Sequence, residues 1–226
     1  MATVLVISAH PDDETMAAGG TIAMHAERGD RVVLLEATRG EGGEAGDPPL
    51  ADRAGLGAYR EGELREAAAA LGVREVIFLP FVDPPMEIGG AAGRIDATLE
   101  EFVAAIAEQV RAVGPDLVIT HGVNGEYGHP QHTFTHQAAL LALAATDLRP
   151  EVHTWGAWYP DAERPEMLNR LEPADIVRDI SPWLERKVAA ALAHRTQHAM
   201  FLRNTGAPSV PAMITRVESF HILRRP

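Results

Sequence analysis

The sequence predicts an α/β protein built on a doubly wound, mostly parallel sheet with helices on both faces. Short runs of Val, Ile and Leu alternate along the chain with longer amphipathic stretches rich in Ala, Leu and Glu. This alternation favours parallel strands, because each helix carries the chain back across a face of the sheet. The 226 residues, 46% of them hydrophobic, can bury one core, and no Pro/Gly/Ser-rich linker divides them. We therefore expect a single domain over residues 1–226.

The individual elements follow from local patterns. Strands are expected where aliphatic and β-branched residues run together, and helices where apolar residues recur every three or four positions. The predicted strands cover residues 3–8, 31–38, 75–79, 116–120 and 152–158, with a terminal strand over 216–225. The predicted helices cover residues 13–27, 58–71, 94–113, 130–145 and 181–198. The segment 39–57, rich in Gly, Pro and acidic residues, exceeds an ordinary connection and is either a mobile lid or a disordered excursion.

Two polar blocks follow predicted strands. The block AHPDDE at residues 9–14 comes after the first strand, and GEYGHPQH at residues 125–132 comes after the fourth. In a Rossmann-like sheet the first and fourth strands lie side by side where the winding direction reverses, and ligands bind in that crevice. We therefore expect the two blocks to meet.

The first block combines one histidine with three carboxylates. Burying such groups unpaired would cost several kcal/mol, whereas a divalent cation accepts imidazole nitrogen and carboxylate oxygen together. His10 and Asp13 lie three residues apart, and one of His129 and His132 would complete a three-ligand site. Three protein ligands and a water molecule are typical of catalytic zinc. Asp12, adjacent to a ligand but spare, could then accept a proton from water.

Four motifs in order give the chain a family resemblance. They are AHPDDE at 9–14, TRGE at 38–41, REGE at 60–63 and GHPxH at 128–132, with a looser match in HRTQ at 194–197. Over about residues 3–137 the chain resembles the LmbE / PIG-L family of zinc-dependent N-deacetylases. The resemblance implies hydrolysis of the acetamide of an N-acetyl sugar of the GlcNAc type, or of a sugar conjugate, with Zn²⁺ as cofactor.

The resemblance also implies a metal set and a base. It assigns the zinc to His10, Asp13 and His132, and the role of general base to Asp12. His136, four residues after His132, remains an alternative ligand, although we favour a hydrogen-bonded position behind the ligands.

Further roles come from the same resemblance. It implies that His129 and Tyr127 stabilise the tetrahedral oxyanion or assist the leaving amine. It implies that Arg60 and Asp83 hold sugar hydroxyls, although Arg60 could equally form a structural ion pair with Glu63 or Asp83.

Some residues depart from this pattern or have simpler explanations. Gln131 stands where the family usually has aspartate. The acidic residues 12–14 would also favour the positive end of the following helix. The remaining histidines are expected at the surface or in the core, with His194 a weak site candidate: His25, His121, His153, His194, His198 and His221.

Composition excludes several function classes. A net charge of −12 without a Lys/Arg cluster argues against nucleic acid and anionic membranes as partners. The absence of cysteine excludes thiolate chemistry, and no dinucleotide, P-loop or G-x-S-x-G motif occurs. No apolar run is long enough to span a bilayer, so we expect a cytoplasmic protein. Its expected partner is a small N-acetylated sugar or sugar conjugate, and it could form a homo-oligomer.

Two alternatives to a sugar deacetylase remain. The chain could be an amidase that acts on a larger acyl group or on a thiol-sugar conjugate, or a metal-containing protein that binds a sugar without turnover.

Overall fold

The computed structural model describes residues 1–85, 95 and 97–224. Its strands are β1 (Thr3–Ser8), β2 (Arg31–Glu36), β3 (Glu75–Phe78), β4 (Leu117–Thr120), β5 (Glu151–Trp155), β6 (Ala157–Trp158), β7 (Asn169–Pro173), β8 (Ile176–Asp179) and β9 (Val217–Arg224). Its helices are α1 (Asp13–Glu27), α2 (Leu56–Leu71), α3 (Leu99–Val113), α4 (Gly125–Gly128), α5 (Pro130–Ala144), α6 (Leu184–Ala193), α7 (His198–Thr205) and α8 (Val210–Met213).

Within the described ranges, seven strands form one sheet in the order β3-β2-β1-β4-β5-β9-β8. The strands from β3 to β5 are parallel, and β9 runs antiparallel to both β5 and β8. The predicted Rossmann-like, mostly parallel sheet is therefore confirmed. The winding reverses between β1 and β4, so the loops that follow these two strands lie side by side.

The core has two layers, one on each face of the sheet. Along β1, Val4 and Val6 face one layer while Leu5 and Ile7 face the other, as the two-residue period of a strand requires. Helices α3 and α5 cover the face of Leu5, and α1, α2 and α6 cover the face of Val4. The site is thus supported by helices on both sides of the sheet.

Two predicted helices need correction. The helix predicted over 94–113 begins at Leu99, where Thr98 and Glu101 form a reciprocal capping box; Arg94 lies outside the described residues. The helix predicted over 181–198 is wrong at both ends, because α6 is flanked by short 3₁₀ turns. It stops because Thr196 turns toward buried Glu63, with its N–H and hydroxyl donating to that carboxylate at 2.9 and 2.6 Å.

The segment 39–57 makes defined contacts with the rest of the molecule. Arg53 donates to the carbonyl oxygens of Glu41 and Gly43 at 2.7 and 2.8 Å, and Gln197 donates to the carbonyl oxygen of Glu44 at 2.8 Å. Its movement on ligand binding stays a prediction. Of the helices in the described part of the chain, none has the length and apolar character needed to cross a membrane.

Candidate metal centre

The two polar blocks meet at the carboxyl ends of β1 and β4. One ligand atom from each of His10, Asp13 and His132 lies within 4.8 Å of the others. Nε2 of His132 is 3.2 Å from Oδ1 of Asp13, and Nδ1 of His10 is 3.3 Å from Oδ2 of Asp13. Two imidazoles and one carboxylate are a donor set suited to a divalent metal ion, so this cluster could hold one.

The start of α5 positions the second block. Pro130 occupies the first turn, where its missing N–H is not needed, and His129 precedes the helix with extended backbone angles. The N–H of Gln131 donates to Nδ1 of His129 at 3.3 Å, while the side-chain oxygen of Gln131 contacts Nε2 of His10. Consequently His132 reaches the cluster from the first turn, and His129 stands at its edge.

Asp12 occupies a strained position beside the cluster. Its φ of 126° lies in a region that residues other than glycine rarely adopt. Holding a residue in such a backbone conformation typically costs about 1–3 kcal/mol. The carboxylate makes no cap bond to α1 and instead accepts a hydrogen bond from Nη2 of Arg60 at 3.2 Å. Burial raises the pKa of Asp12 to about 7, although Arg60 opposes the shift.

Arg60 is held by the loops that carry the motifs. Its guanidinium donates to the carbonyl oxygens of Gly40 and Pro11 at 2.8 and 2.6 Å, in addition to Asp12. The alternative of a structural ion pair with Glu63 or Asp83 is therefore wrong in its partner, because Arg60 pairs with Asp12. Arg60 links the strand-end loops to the candidate base.

Sequence reasoning missed two residues that orient His132. His121, set aside above as an ordinary core or surface histidine, is fully buried and accepts the N–H of Ala9 at its Nε2, 3.0 Å away. Its Nδ1 therefore carries the proton and donates to Oε2 of Glu126 at 3.1 Å. Nδ1 of His132 donates to the same oxygen at 2.7 Å, which leaves Nε2 of His132 directed at Asp13.

Glu126 is itself fixed by the backbone and by β7. Its other carboxylate oxygen accepts from the N–H of Gly122 at 3.0 Å and from the amide of Asn169 at 3.2 Å. Burial favours the neutral acid, but His121 and His132 outweigh it and hold the pKa of Glu126 far below its usual range. His121, Glu126 and His132 also have metal-ligand spacing, yet both Nδ1 atoms are already bonded to Glu126. In this trio Glu126 therefore orients the proposed ligand His132 and does not bind a metal ion itself.

Electrostatics couple the proposed ligands. Burial lowers the pKa of His132, but Asp13 and Glu126 outweigh it and raise the value to about 10. Burial raises the pKa of Asp13, yet His132 and His10 hold it well below its usual range. The carboxylates thus create a site that attracts positive charge, and a metal ion would replace the proton on His132.

His129 and Tyr127 form the rim of the cluster. The ring of His129 stacks on His132 with centroids 4.3 Å apart, and Tyr127 meets both rings edge-on. Burial, then His132 and His10, lower the pKa of His129 to about 3, so the ring is neutral. Since its Nδ1 accepts a bond from the backbone, Nε2 carries the hydrogen and can donate.

All eight residues predicted for the site line one cavity of about 590 Å³, a size typical of small-molecule sites. Asp83 lies in its wall, with Oδ2 accepting from the N–H of Gly42 at 3.1 Å and Oδ1 3.7 Å from Nε2 of His10. His136 donates from Nδ1 to the carbonyl oxygen of His121 at 2.8 Å, as the favoured interpretation predicted. His194 is in the core beside Thr15.

Fold and cluster together define an α/β protein with a candidate histidine–carboxylate metal centre at the switch point of its sheet. Residues 5–143 match the family model PIG-L, described as GlcNAc-PI de-N-acetylase. The chain belongs to this family.

Relatives in the family carry one recurrent name. The chain is 44% identical to a 1D-myo-inositol 2-acetamido-2-deoxy-alpha-D-glucopyranoside deacetylase of Kineococcus radiotolerans, over 64% of this chain and 46% of that protein. It is 36% identical to a deacetylase of the same name, numbered 1, from Saccharopolyspora erythraea, over 90% of this chain and 81% of that protein. The chain spans about half the length of the Kineococcus relative and of one from Thermobispora bispora.

Two solved structures share the fold. An N,N'-diacetylchitobiose deacetylase from Pyrococcus horikoshii superposes with a TM-score of 0.68 at 20% identity, covering 98% of this chain and 84% of that one. A 4-carboxy-2-hydroxymuconate hydratase from Pseudomonas putida gives the same TM-score at 23% identity, covering 100% and 98%. Because a deacetylase and a hydratase match equally well, the fold alone does not select an activity.

Proposed function

We propose that this chain is a metal-dependent hydrolase that removes the acetyl group from an N-acetylglucosamine-type sugar or sugar conjugate. The observation that carries the proposal is the convergence of a three-donor metal cluster, a spare carboxylate and neutral hydrogen-bond donors on one 590 Å³ cavity. The names of the relatives support the sugar class. We also propose that residues 1–226 act as one domain, since early and late strands share one sheet.

We infer that the metal is zinc, held by His10, Asp13 and His132. Imidazole and carboxylate donors without thiolate suit catalytic zinc, and Glu126 leaves Nε2 of His132 as the ligand atom. When bound, such an ion polarises an amide carbonyl and lowers the pKa of water.

In this proposal Asp12 is the general base. Its carboxylate lies in the cavity next to a ligand and is oriented by Arg60. It removes a proton from the attacking water as the carbon–oxygen bond forms, and the proton passes to the nitrogen as the carbon–nitrogen bond breaks. The products are acetate and a free amine, with no oxidant or reductant required.

The remaining residues bind and stabilise. Neutral His129 donates from Nε2, and with Tyr127 it stabilises the developing oxyanion at the rim of the cluster. Asp83 and Arg60 line the sugar side of the cavity and hold hydroxyl groups there. Since Arg60 also contacts Asp12, substrate binding and base orientation depend on the same side chain.

The decisive experiment measures acetate release from a panel of N-acetylated sugars, including GlcNAc, diacetylchitobiose and GlcNAc-inositol, after chelation and zinc restoration. Asp12→Asn should keep its zinc and lose about 10²–10⁴ in kcat, the range for lost general-base catalysis. Asp147→Asn, an exposed change of the same kind, is the matched control. Near-normal kcat in Asp12→Asn would exclude the base assignment, and sugar binding without acetate release from the zinc-loaded protein would favour a non-catalytic role.

A further inference from the structure

A second cavity, of about 200 Å³, adjoins the metal centre. It shares Asp13, Tyr127 and His132 with the larger cavity, and its other lining residues are different. Both cavities therefore border Asp13, Tyr127 and His132. The candidate metal centre has a cavity on two of its sides.

The lining of the second cavity is mainly apolar. Met16 and Ala17 come from α1, Trp155 from β5 and Met213 from α8, while exposed Met167 lies toward solvent. Methionine side chains are flexible and adapt to irregular apolar ligands. These apolar side chains suit a hydrocarbon group.

The two charged side chains that enter the wall from α6 and β9 are paired with each other, whereas Glu163 and Arg164 line the cavity from the loop that follows β6. Nζ of Lys187 donates to Oε1 of Glu218 at 2.8 Å, and both side chains are almost completely buried. The Glu218 carboxylate also accepts from the N–H groups of Gly20 and Thr21 at 2.7 and 2.8 Å. Neither group offers an unpaired charge to an ionic ligand.

The two sides of the amide bond that is cleaved differ in polarity, as the two cavities do. The amine side carries the sugar and matches the polar cavity of Arg60 and Asp83, and the acyl side carries hydrocarbon. An amide whose carbonyl lay at the shared residues, with its sugar in the polar cavity, would have its acyl group on the side of the second cavity. About 200 Å³ is room for about six groups of the size of a water molecule or methyl group, taking roughly 30 Å³ for each. An acetyl methyl would fill only a small part of it.

We propose that the second cavity is an acyl-binding site, and that the chain hydrolyses N-acyl amino sugars with linear apolar acyl chains of about four to eight carbons more efficiently than the acetyl compound. The inference rests on the proposed amide hydrolysis and specifies the acyl group. The reaction is unchanged: water adds to the acyl carbon, the carbon–nitrogen bond breaks, and a fatty acid and the amine leave.

The test compares N-acetyl-, N-butanoyl-, N-hexanoyl-, N-octanoyl- and N-dodecanoylglucosamine with the zinc-loaded enzyme, following released glucosamine. Each methylene that leaves water is worth about fourfold, so kcat/KM for the hexanoyl compound should exceed that for acetyl by at least about tenfold. The dodecanoyl compound should gain nothing over octanoyl, because its chain exceeds the cavity.

Ala17→Leu narrows the cavity from α1 and should lower the hexanoyl-to-acetyl ratio of kcat/KM by about tenfold or more. Ala69→Leu, an exposed helical position on α2 outside both cavities, is the matched control and should leave the ratio unchanged. Hexanoate should also inhibit at lower concentration than acetate, and Ala17→Leu should remove that difference.

The outcomes separate the two proposals. Release from the acetyl compound with no gain for longer chains would overturn the acyl site and leave the deacetylase intact. An unchanged ratio in Ala17→Leu, or equal inhibition by hexanoate and acetate, would overturn it too. No release from any member of the series would remove the proposed hydrolase and the acyl site together.

Discussion

The first part of the chain, up to the end of α5, and the part that follows it contribute to the site in different ways. The first part forms the parallel strands β1 to β4, and the loops and helices that follow these strands carry all eight residues proposed for metal binding, catalysis and sugar binding. The second part contains the antiparallel strands and carries none of these eight. It supplies buried polar supports, such as Asn169 behind Glu126 and Glu218 behind α1, and much of the apolar cavity.

This difference separates chemistry from support. If it is correct, changes at the eight site residues of the first part alter metal content and turnover, whereas changes at the buried polar supports of the second part mainly alter the free energy of unfolding. Glu126 tests the boundary, because it lies in the first part but is held by Asn169 from the second.

The largest effect is expected for His132→Ala, which removes a proposed ligand. Metal content should fall to background and acetate release with it, while His136→Ala should keep most of its metal, because His136 contacts a backbone carbonyl. Metal-to-protein ratios by mass spectrometry, with circular dichroism to confirm folding, provide the measurement. Equal metal loss in the two variants would mean that the ligand set is wrong.

The buried ion pair between Lys187 and Glu218 tests whether the second part mainly stabilises the fold. Lys187→Met leaves Glu218 charged and unpaired in the core, so the free energy of unfolding should fall by about 3–5 kcal/mol in urea titrations. Arg195→Met, which breaks the exposed pair with Glu66, should change it by less than about 1 kcal/mol. A Lys187→Met protein as stable as the parent would contradict the proposal that this ion pair stabilises the fold. Adding Glu218→Gln to Lys187→Met removes the unpaired charge and should restore part of the lost free energy of unfolding.

Glu126→Gln sharpens the boundary between the two parts. The amide cannot accept from both histidines with the strength of a carboxylate, so zinc affinity should fall by about 10–100-fold in competition titrations. Glu172→Gln changes another buried carboxylate, which bonds Val123 and Thr154 rather than a histidine, and zinc affinity should stay near the parent value. A similar loss in both variants would indicate general damage to the fold.

The smallest effect is expected at the start of α3, where Thr98 lines neither cavity. Thr98→Ala removes the capping box and should lower the free energy of unfolding by about 1 kcal/mol. Ser209→Ala, at the start of α8, removes a side chain that makes no cap bond and should have almost no effect. Thermal unfolding of the two variants and the parent measures the difference. A Thr98→Ala protein that unfolds at the same temperature as Ser209→Ala would contradict the capping assignment.

The sequence predicted the sheet and the candidate site because both depend on compact local signals. The two blocks each follow an aliphatic strand, and the alternation of strands and helices places those strands side by side. His121 was missed because it stands alone in the sequence, and its relation to His132 comes from the turn at Glu126. Asn169 meets Glu126 across 43 residues, so that contact depends on how β7 folds back. No local pattern encodes it.

The backbone at Asp12 has a consequence for protein engineering. Glycine would occupy φ of 126° without the steric cost of a side chain, and it would leave no carboxylate in the core. A redesign that optimises thermal stability alone would therefore choose glycine at position 12 and eliminate the proposed base. Stability and turnover make opposite demands on this one residue, so position 12 should be held fixed whenever the chain is stabilised.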